Sequence, residues 1–418
     1  MRPPFVLSQK PFARRRRKAP LPFIALAFGM LVNYLPDLFT GGIGFSISYL
    51  GWIVPLLSCG LVVLLRHRHI SFPLWLWLPW SIWVAVYLLF ATADNALQRS
   101  VMLLTPLVVG AGFSTLQVDA PLIEKFSLWL SRFFWFFIAV AGVATGLLVT
   151  GQLYGVTGFA AGSITASLLA AWFAARYAGG DVRALAYWGA LALVPVLANT
   201  RTGMVAVALT LPLTLAPLSV KKRLIAVAVL MVAGLLAFQS EHIQSKMFFS
   251  GQGTLSDAVS GMGDMFAGEN ATSGDFVTSG RKSMNDVLVA GLDQAYWFGY
   301  GANTTEAISL AIANVTHPHN DWLRLRYEYG ILGMLIFVLT LMAQMFHALL
   351  RFRNLSSTSA AIFLYVGAGA FVPMVIFMFT DNVMLYAAWF GNLQFAMLGL
   401  GYAALRSAQR DGRQDAAA

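Results

Sequence analysis

Phe72-Pro-Leu-Trp-Leu-Trp-Leu-Pro-Trp-Ser-Ile-Trp-Val-Ala-Val-Tyr-Leu-Leu-Phe-Ala-Thr92 contains no charged side chain. A helix needs about 20 apolar residues to cross the roughly 30 Å hydrocarbon core of a bilayer, so this stretch is long enough. The same texture continues on either side of it. Of the 418 residues, 58% are hydrophobic and 11% charged, and the mean hydropathy is +0.69. Soluble domains are about 25% charged. A chain this poor in charge cannot cover itself with solvated side chains, which excludes a soluble enzyme of two or three domains. The short alternating segments of an outer-membrane barrel are absent. The single cysteine, Cys59, lies inside an apolar block, so neither a disulfide framework nor a thiolate metal cluster is expected. The fold class expected is an all-α polytopic membrane protein.

Twelve apolar spans can be read: 21–40, 46–65, 72–92, 100–118, 126–150, 154–175, 184–199, 203–220, 224–239, 328–350, 358–380 and 383–405. They divide the chain into a basic tail (1–20), nine spans (21–239), a long loop (240–327), three spans (328–405) and a second tail (406–418). Arg14, Arg15, Arg16, Arg17 and Lys18 directly precede the first span and hold that side in the cytoplasm. No small-residue cleavage site and polar mature region follow Leu35, so the first helix reads as retained. With twelve spans, 20 of the 28 Lys and Arg fall on the cytoplasmic side, both termini included. The +10 net charge is therefore an orientation signal, and no nucleic-acid partner is expected.

Residues 240–327 form the one long polar segment, with 9 acidic and 5 basic side chains. Loops of this length in a compact fold usually carry function. Ser250–Gly280 is rich in Gly, Ser and Asp and reads as flexible. Met284–Leu292 reads as a helix, followed by the aromatic turn Tyr296-Trp297-Phe298-Gly299-Tyr300-Gly301. Asp257, Asp264, Glu269 and Asp275 do not match a calcium loop and read as solvated. Three N-glycosylation triplets, at Asn270, Asn303 and Asn314, arise easily by chance in such a segment.

A few ionisable residues stand out against this background. Arg201 sits in the short outer turn between spans seven and eight. A charge there costs on the order of 2–3 kcal/mol unless paired, and marks either a ligand path or an arginine snorkelling to the head groups. Arg281 and Lys282 open the helix-like stretch. The densest element is Thr316-His317-Pro318-His319-Asn320-Asp321-Trp322-Leu323, running on through Arg324, Arg326, Glu328, Gly330 and Gly333. Pro318 suits the first position of a helix, with span ten following unbroken. His319 would then lie in the first turn, where the helix dipole disfavours imidazolium and leaves a base able to take a proton. His319, Leu323, Arg326 and Gly330 would share one face, with Gly330 admitting another helix. His317 and His319 resemble a metal pair, but no third ligand has sensible spacing, so no metal and no cofactor are expected.

His319-Asn320-x-x-Leu323 followed by Glu328-x-Gly330-Ile-x-Gly333 resembles the signature of the O-antigen ligase and O-antigen polymerase superfamily. Gly280-Arg281, Gly299-x-Gly301 and Arg201 at the outer end of a helix are similar to further elements of that family. So is the arrangement of twelve spans with one long periplasmic loop before the tenth. In Tyr296-Trp297-Phe298-Gly299 this chain departs from the family, which often has a proline there. The resemblance implies transfer of a glycan from undecaprenyl diphosphate to a sugar hydroxyl at the periplasmic face, with inversion and without a metal. It implies His319 as the base, with Arg201 and Arg281 holding the diphosphate. Arg324, Arg326, Asn320 and His317 are further candidates for substrate contact. Asp381, between spans eleven and twelve, is a candidate to orient His319 or bind acceptor, and reads equally as a solvated turn residue.

The expected partners are the lipid-linked donor, an acceptor and membrane lipids. Lipid A-core as acceptor makes a ligase. A second lipid-linked repeat as acceptor makes a polymerase of O-antigen, capsule or exopolysaccharide. A transporter of lipid-linked sugars would need a polar path at the bilayer midplane, and the span centres hold almost no ionisable residues.

Overall fold

A computed structural model describes residues 19–34, 49–149, 158–198, 200–214, 219–239, 250–257, 281–352 and 360–415, with single positions at 47, 241, 244, 248 and 260. The Arg14–Lys18 cluster, Asn199, Lys246, Asp264, Glu269, Asn270, Asp275 and Gly280 lie outside the described residues, as do the side chains of Arg281 and Lys282. The described residues form helices and turns without a strand.

In chain order the helices are α1 (Leu21–Val32), α2 (Leu50–Leu65), α3 (Leu74–Leu89), α4 (Ala96–Ser114), α5 (Ala120–Val149), α6 (Gly158–Ala178), α7 (Arg183–Leu197), α8 (Arg201–Thr214) and α9 (Val220–Phe238). After the long polar segment come α10 (Arg281–Gly291), α11 (Thr304–Ala313), α12 (Asp321–Phe352), α13 (Ala361–Gly369), α14 (Phe371–Phe377) and α15 (Gly391–Asp415). By length and composition, helices at 96–114, 120–146 and 321–352 can cross a membrane, and several shorter helices are equally apolar. Large apolar side chains stand outward along them: Leu64 is 75% exposed, Leu89 80% and Phe90 78%. That much apolar surface suits lipid and not water.

The core is α4 against α15, with α6, α7, α8 and α13 packed around it. A buried polar chain crosses it, in which Trp77 Nε1 donates to Gln344 Oε1 at 3.0 Å and Gln344 Nε2 donates to the Tyr402 hydroxyl at 3.0 Å. Apolar walls make such bonds costly to leave unmade.

Three expectations from hydropathy need correction. Span ten is broken at Gly330, where φ is +69° and ψ 179°. The helical bonds from Ile331 and Leu332 back to the Tyr327 and Glu328 carbonyls are lost, and the aromatic turn supplies all four replacements. Tyr300 and Gly301 donate to those two carbonyls at 2.9 Å each. Ile331 and Leu332 donate to the carbonyls of Tyr296 and Trp297 at 3.0 and 3.3 Å. Gly330 thus admits the turn and not another helix, and a Cβ on it would lie 2.2 Å from the Trp297 carbonyl oxygen. Tyr87 donates to the Phe298 carbonyl and Trp83 stacks on the Phe298 ring, which anchors the turn to α3.

Span eleven is divided between α13 and α14, because Pro373 has no N–H to offer the Gly369 carbonyl. Span twelve starts late: 383–390 is a series of turns, and α15 begins only at Gly391. Val383, Met384 and Leu385 are buried in protein, a setting in which non-helical backbone is tolerated at membrane depth.

Candidate active site

α12 begins one turn later than the sequence suggests. Asn320 is its cap, with Oδ1 accepting the Leu323 N–H and the carbonyl accepting the Arg324 N–H, both at 3.0 Å. An Asn side chain satisfies the orphan donors of a helix start, which the imide of Pro318 cannot do. His319 therefore precedes the helix, in the left-handed region with φ +50°, and not in its first turn. It shares no helical face with Leu323 and Arg326.

That left-handed turn sets the ring beside the chain reversal after α14. His319 Nδ1 lies 3.3 Å from Asp381 Oδ1, with side chains 28% and 16% exposed. Asp381 is fixed in turn, since its Oδ1 accepts the Asn382 N–H at 2.9 Å. With Nδ1 donating to the carboxylate, Nε2 carries the lone pair, and among the described residues no hydrogen-bond partner occupies it. An imidazole so held can take a proton from a bound hydroxyl.

His317 stands next to it, ring centroids 5.0 Å apart. Both its nitrogens are engaged, Nδ1 with the Thr316 hydroxyl at 2.7 Å and Nε2 with the Tyr386 hydroxyl at 3.1 Å. Burial foremost, then the charges of His319, Arg99 and Arg324, push its pKa down to about 3. His317 is a neutral prop for its neighbour, and no positive charge of its own is offered to a substrate. Among the described residues no three His, Cys, Asp or Glu side chains gather as a metal-ligand group.

The expected arginines separate into different settings. Arg201 opens α8, whose next residue, Thr202, meets the Thr380 hydroxyl at 2.5 Å. One residue along from that contact is Asp381, so the start of α8 and the His319–Asp381 pair belong to one end of the bundle. Arg281 opens α10, which lies on the first half of α12 through Met284 and Leu288 against Tyr327. Arg324 is 3% exposed, its Nη2 3.0 Å from Asp321 Oδ1, with Glu328 one turn further on and the Thr305 hydroxyl donating to Glu328 at 2.5 Å. This buried cluster faces carboxylates of its own chain. Arg326 lies over the Tyr296 ring, 5.5 Å from its centroid. Asn320, also expected at the substrate, commits Oδ1 to the cap.

Two residues at the site were passed over in the sequence. Arg99, at the start of α4, lies 3.8 Å from Glu306 and near enough to His317 to act on its charge. The reasoning that singled out Arg201, a cation at the outer end of an apolar span, applied to it equally. Tyr386 was hidden because its surroundings read as membrane helix.

Residues 185–338 match the family model of the O-antigen ligase, which supports membership of the O-antigen ligase superfamily. The match takes in Arg201, Arg281, His317 and His319, and leaves out Arg99 and Asp381. No curated protein matches the chain.

Proposed function

We propose that this protein is a membrane glycosyltransferase that moves a glycan from undecaprenyl diphosphate to a sugar hydroxyl, as an O-antigen ligase with lipid A-core as acceptor. The observation that carries this reading is the His319–Asp381 pair, with Nε2 open and the start of α8 alongside. The acceptor oxygen attacks the anomeric carbon from the face opposite the diphosphate, and its proton passes to His319 Nε2. The bond from the anomeric carbon to the phosphate oxygen breaks, and its electron pair leaves with undecaprenyl diphosphate. Inversion follows from the single displacement. Asp381 holds the imidazole in the accepting tautomer and balances the imidazolium that forms.

Charge grows on the diphosphate as the bond breaks. Arginine presents a planar, permanently cationic fork to phosphate oxygens, and Arg201 and Arg281 are assigned that role, which a metal ion fills in other transferases. Arg99 is the added candidate for the same anion. In this reading twelve spans place both termini in the cytoplasm and the site at the periplasmic face of the inner membrane.

Reconstitution with lipid-linked donor tests the assignment. Arg201→Lys and Arg281→Lys keep the charge but lose the fork, and each is expected to be severely impaired at unchanged protein level. Wild-type transfer by both would remove the arginines from the mechanism. Supplying donor with lipid A-core and, separately, lipid-linked repeats alone decides the acceptor. Glycan transfer only with core supports the ligase, and chain growth on repeats alone makes the protein the polymerase of the same superfamily.

A further inference from the structure

At the end of the bundle remote from His319, a cavity of about 450 Å³ opens where α1, α2, α4 and α5 terminate beside Arg406 of α15. α4 measures the separation: Arg99 lies in its first turn, and Thr115, just past its last, lines the cavity, about 24 Å along the axis. Arg66, His69, Lys125 and Arg406 contribute to the wall against one carboxylate, Asp119. That carboxylate caps α5, Oδ1 accepting the Leu122 N–H at 3.0 Å. Arg406 is held in the wall by its Nη2, which donates to the Leu116 carbonyl at 2.8 Å. Any one of Arg66, Lys125 and Arg406 is explained as a basic residue flanking a membrane helix. Their convergence on one cavity leaves its lining net positive, with Arg66, Lys125 and Arg406 against Asp119, and such a wall attracts an anion.

The rim is of the opposite character. Leu65, 73% exposed, lines the cavity and continues the apolar outer surface of α2. A ligand with a phosphate at one end and hydrocarbon at the other fits both halves. We propose that this cavity binds the phosphate of an anionic membrane-lipid head group, whose acyl chains stay in the bilayer beside α2. Basic pockets between helices on the face assigned to the cytoplasm hold such head groups, and the arginines supply paired donors to phosphate. The assignment does not depend on the transferase reading.

Native mass spectrometry of the full-length protein, titrated with phosphatidylglycerol, phosphatidylcholine or inorganic phosphate, tests it. Phosphatidylglycerol is expected to bind one site in clear preference to phosphatidylcholine, and inorganic phosphate is expected not to displace it. Each cation near the surface contributes about fivefold, so Arg66→Gln with Lys125→Gln should weaken that site about 25-fold. The charge-retaining Arg66→Lys with Lys125→Arg should restore it, which separates lost charge from lost fold. Equal binding of the two lipids, unchanged affinity in the Gln variant with intact helix content, or displacement by inorganic phosphate would each overturn the proposal.

Discussion

His319 and His317 are two residues apart and opposite in setting. One imidazole has a carboxylate on Nδ1 and, among the described residues, no partner on Nε2; the other spends both nitrogens on hydroxyls. Asp381 is a positioning residue, acting through His319. Asp381→Asn is expected to lower kcat while the KM for lipid donor holds, with Asp381→Glu recovering part of the loss. An equal rise in KM for every Asp381 variant would instead place that side chain against substrate. His317, with its pKa pushed down to about 3, stays neutral in the fold, while the unfolded chain takes a proton near pH 6.5. Its contribution to stability is therefore complete above about pH 6.5 and declines as the pH falls toward 3. Thermal unfolding should show the wild type losing more stability between pH 7 and pH 5 than His317→Gln. The sequence made the motif visible and offered Asp381 as a candidate to orient His319 or bind acceptor, or as a solvated turn residue. It misplaced His319 because Pro318 is a strong helix-start signal, and nothing local announces a left-handed histidine ahead of a better cap.

At the scale of elements, the break in α12 and the aromatic turn that fills it are one unit. Four backbone bonds replace two helical ones, and the contact needs bare backbone at Gly330 and at Gly299, whose Cβ would lie 2.6 Å from the Tyr327 carbonyl oxygen. Gly330→Ala meets both a left-handed φ and a filled contact, each costing about 1–3 kcal/mol. It should lower the melting temperature and open 296–301 to protease, and a wild-type melt would contradict this account of the break. The Arg324 cluster is a second such unit. Arg324→Met strands two buried carboxylates, with an expected loss of about 3–5 kcal/mol, read as loss of folded protein in detergent. Hydropathy saw neither unit, since a window average over Asp321–Phe352 passes smoothly across one glycine. The same averaging hid the turns at 383–390, which are apolar because protein surrounds them, not because lipid does.

For the whole molecule, the membrane class follows directly from charge scarcity, because bilayer thickness fixes how long an uncharged stretch must be. Which distant residues meet was less legible. The meeting of Thr202 with Thr380 and of His319 with Asp381 depends on how helices far apart in sequence pack, and a single sequence does not encode that in any local spacing. The resulting molecule has two separated polar ends, a reactive pair beside the start of α8 and a basic cavity below α4. The central claim is that His319 takes the acceptor's proton. Its most direct test is glycan transfer by purified His319→Ala, reconstituted with lipid-linked donor and acceptor. A loss of about 10²- to 10⁴-fold in rate, with donor still bound, is the result expected of a missing general base; transfer at the wild-type rate would contradict it.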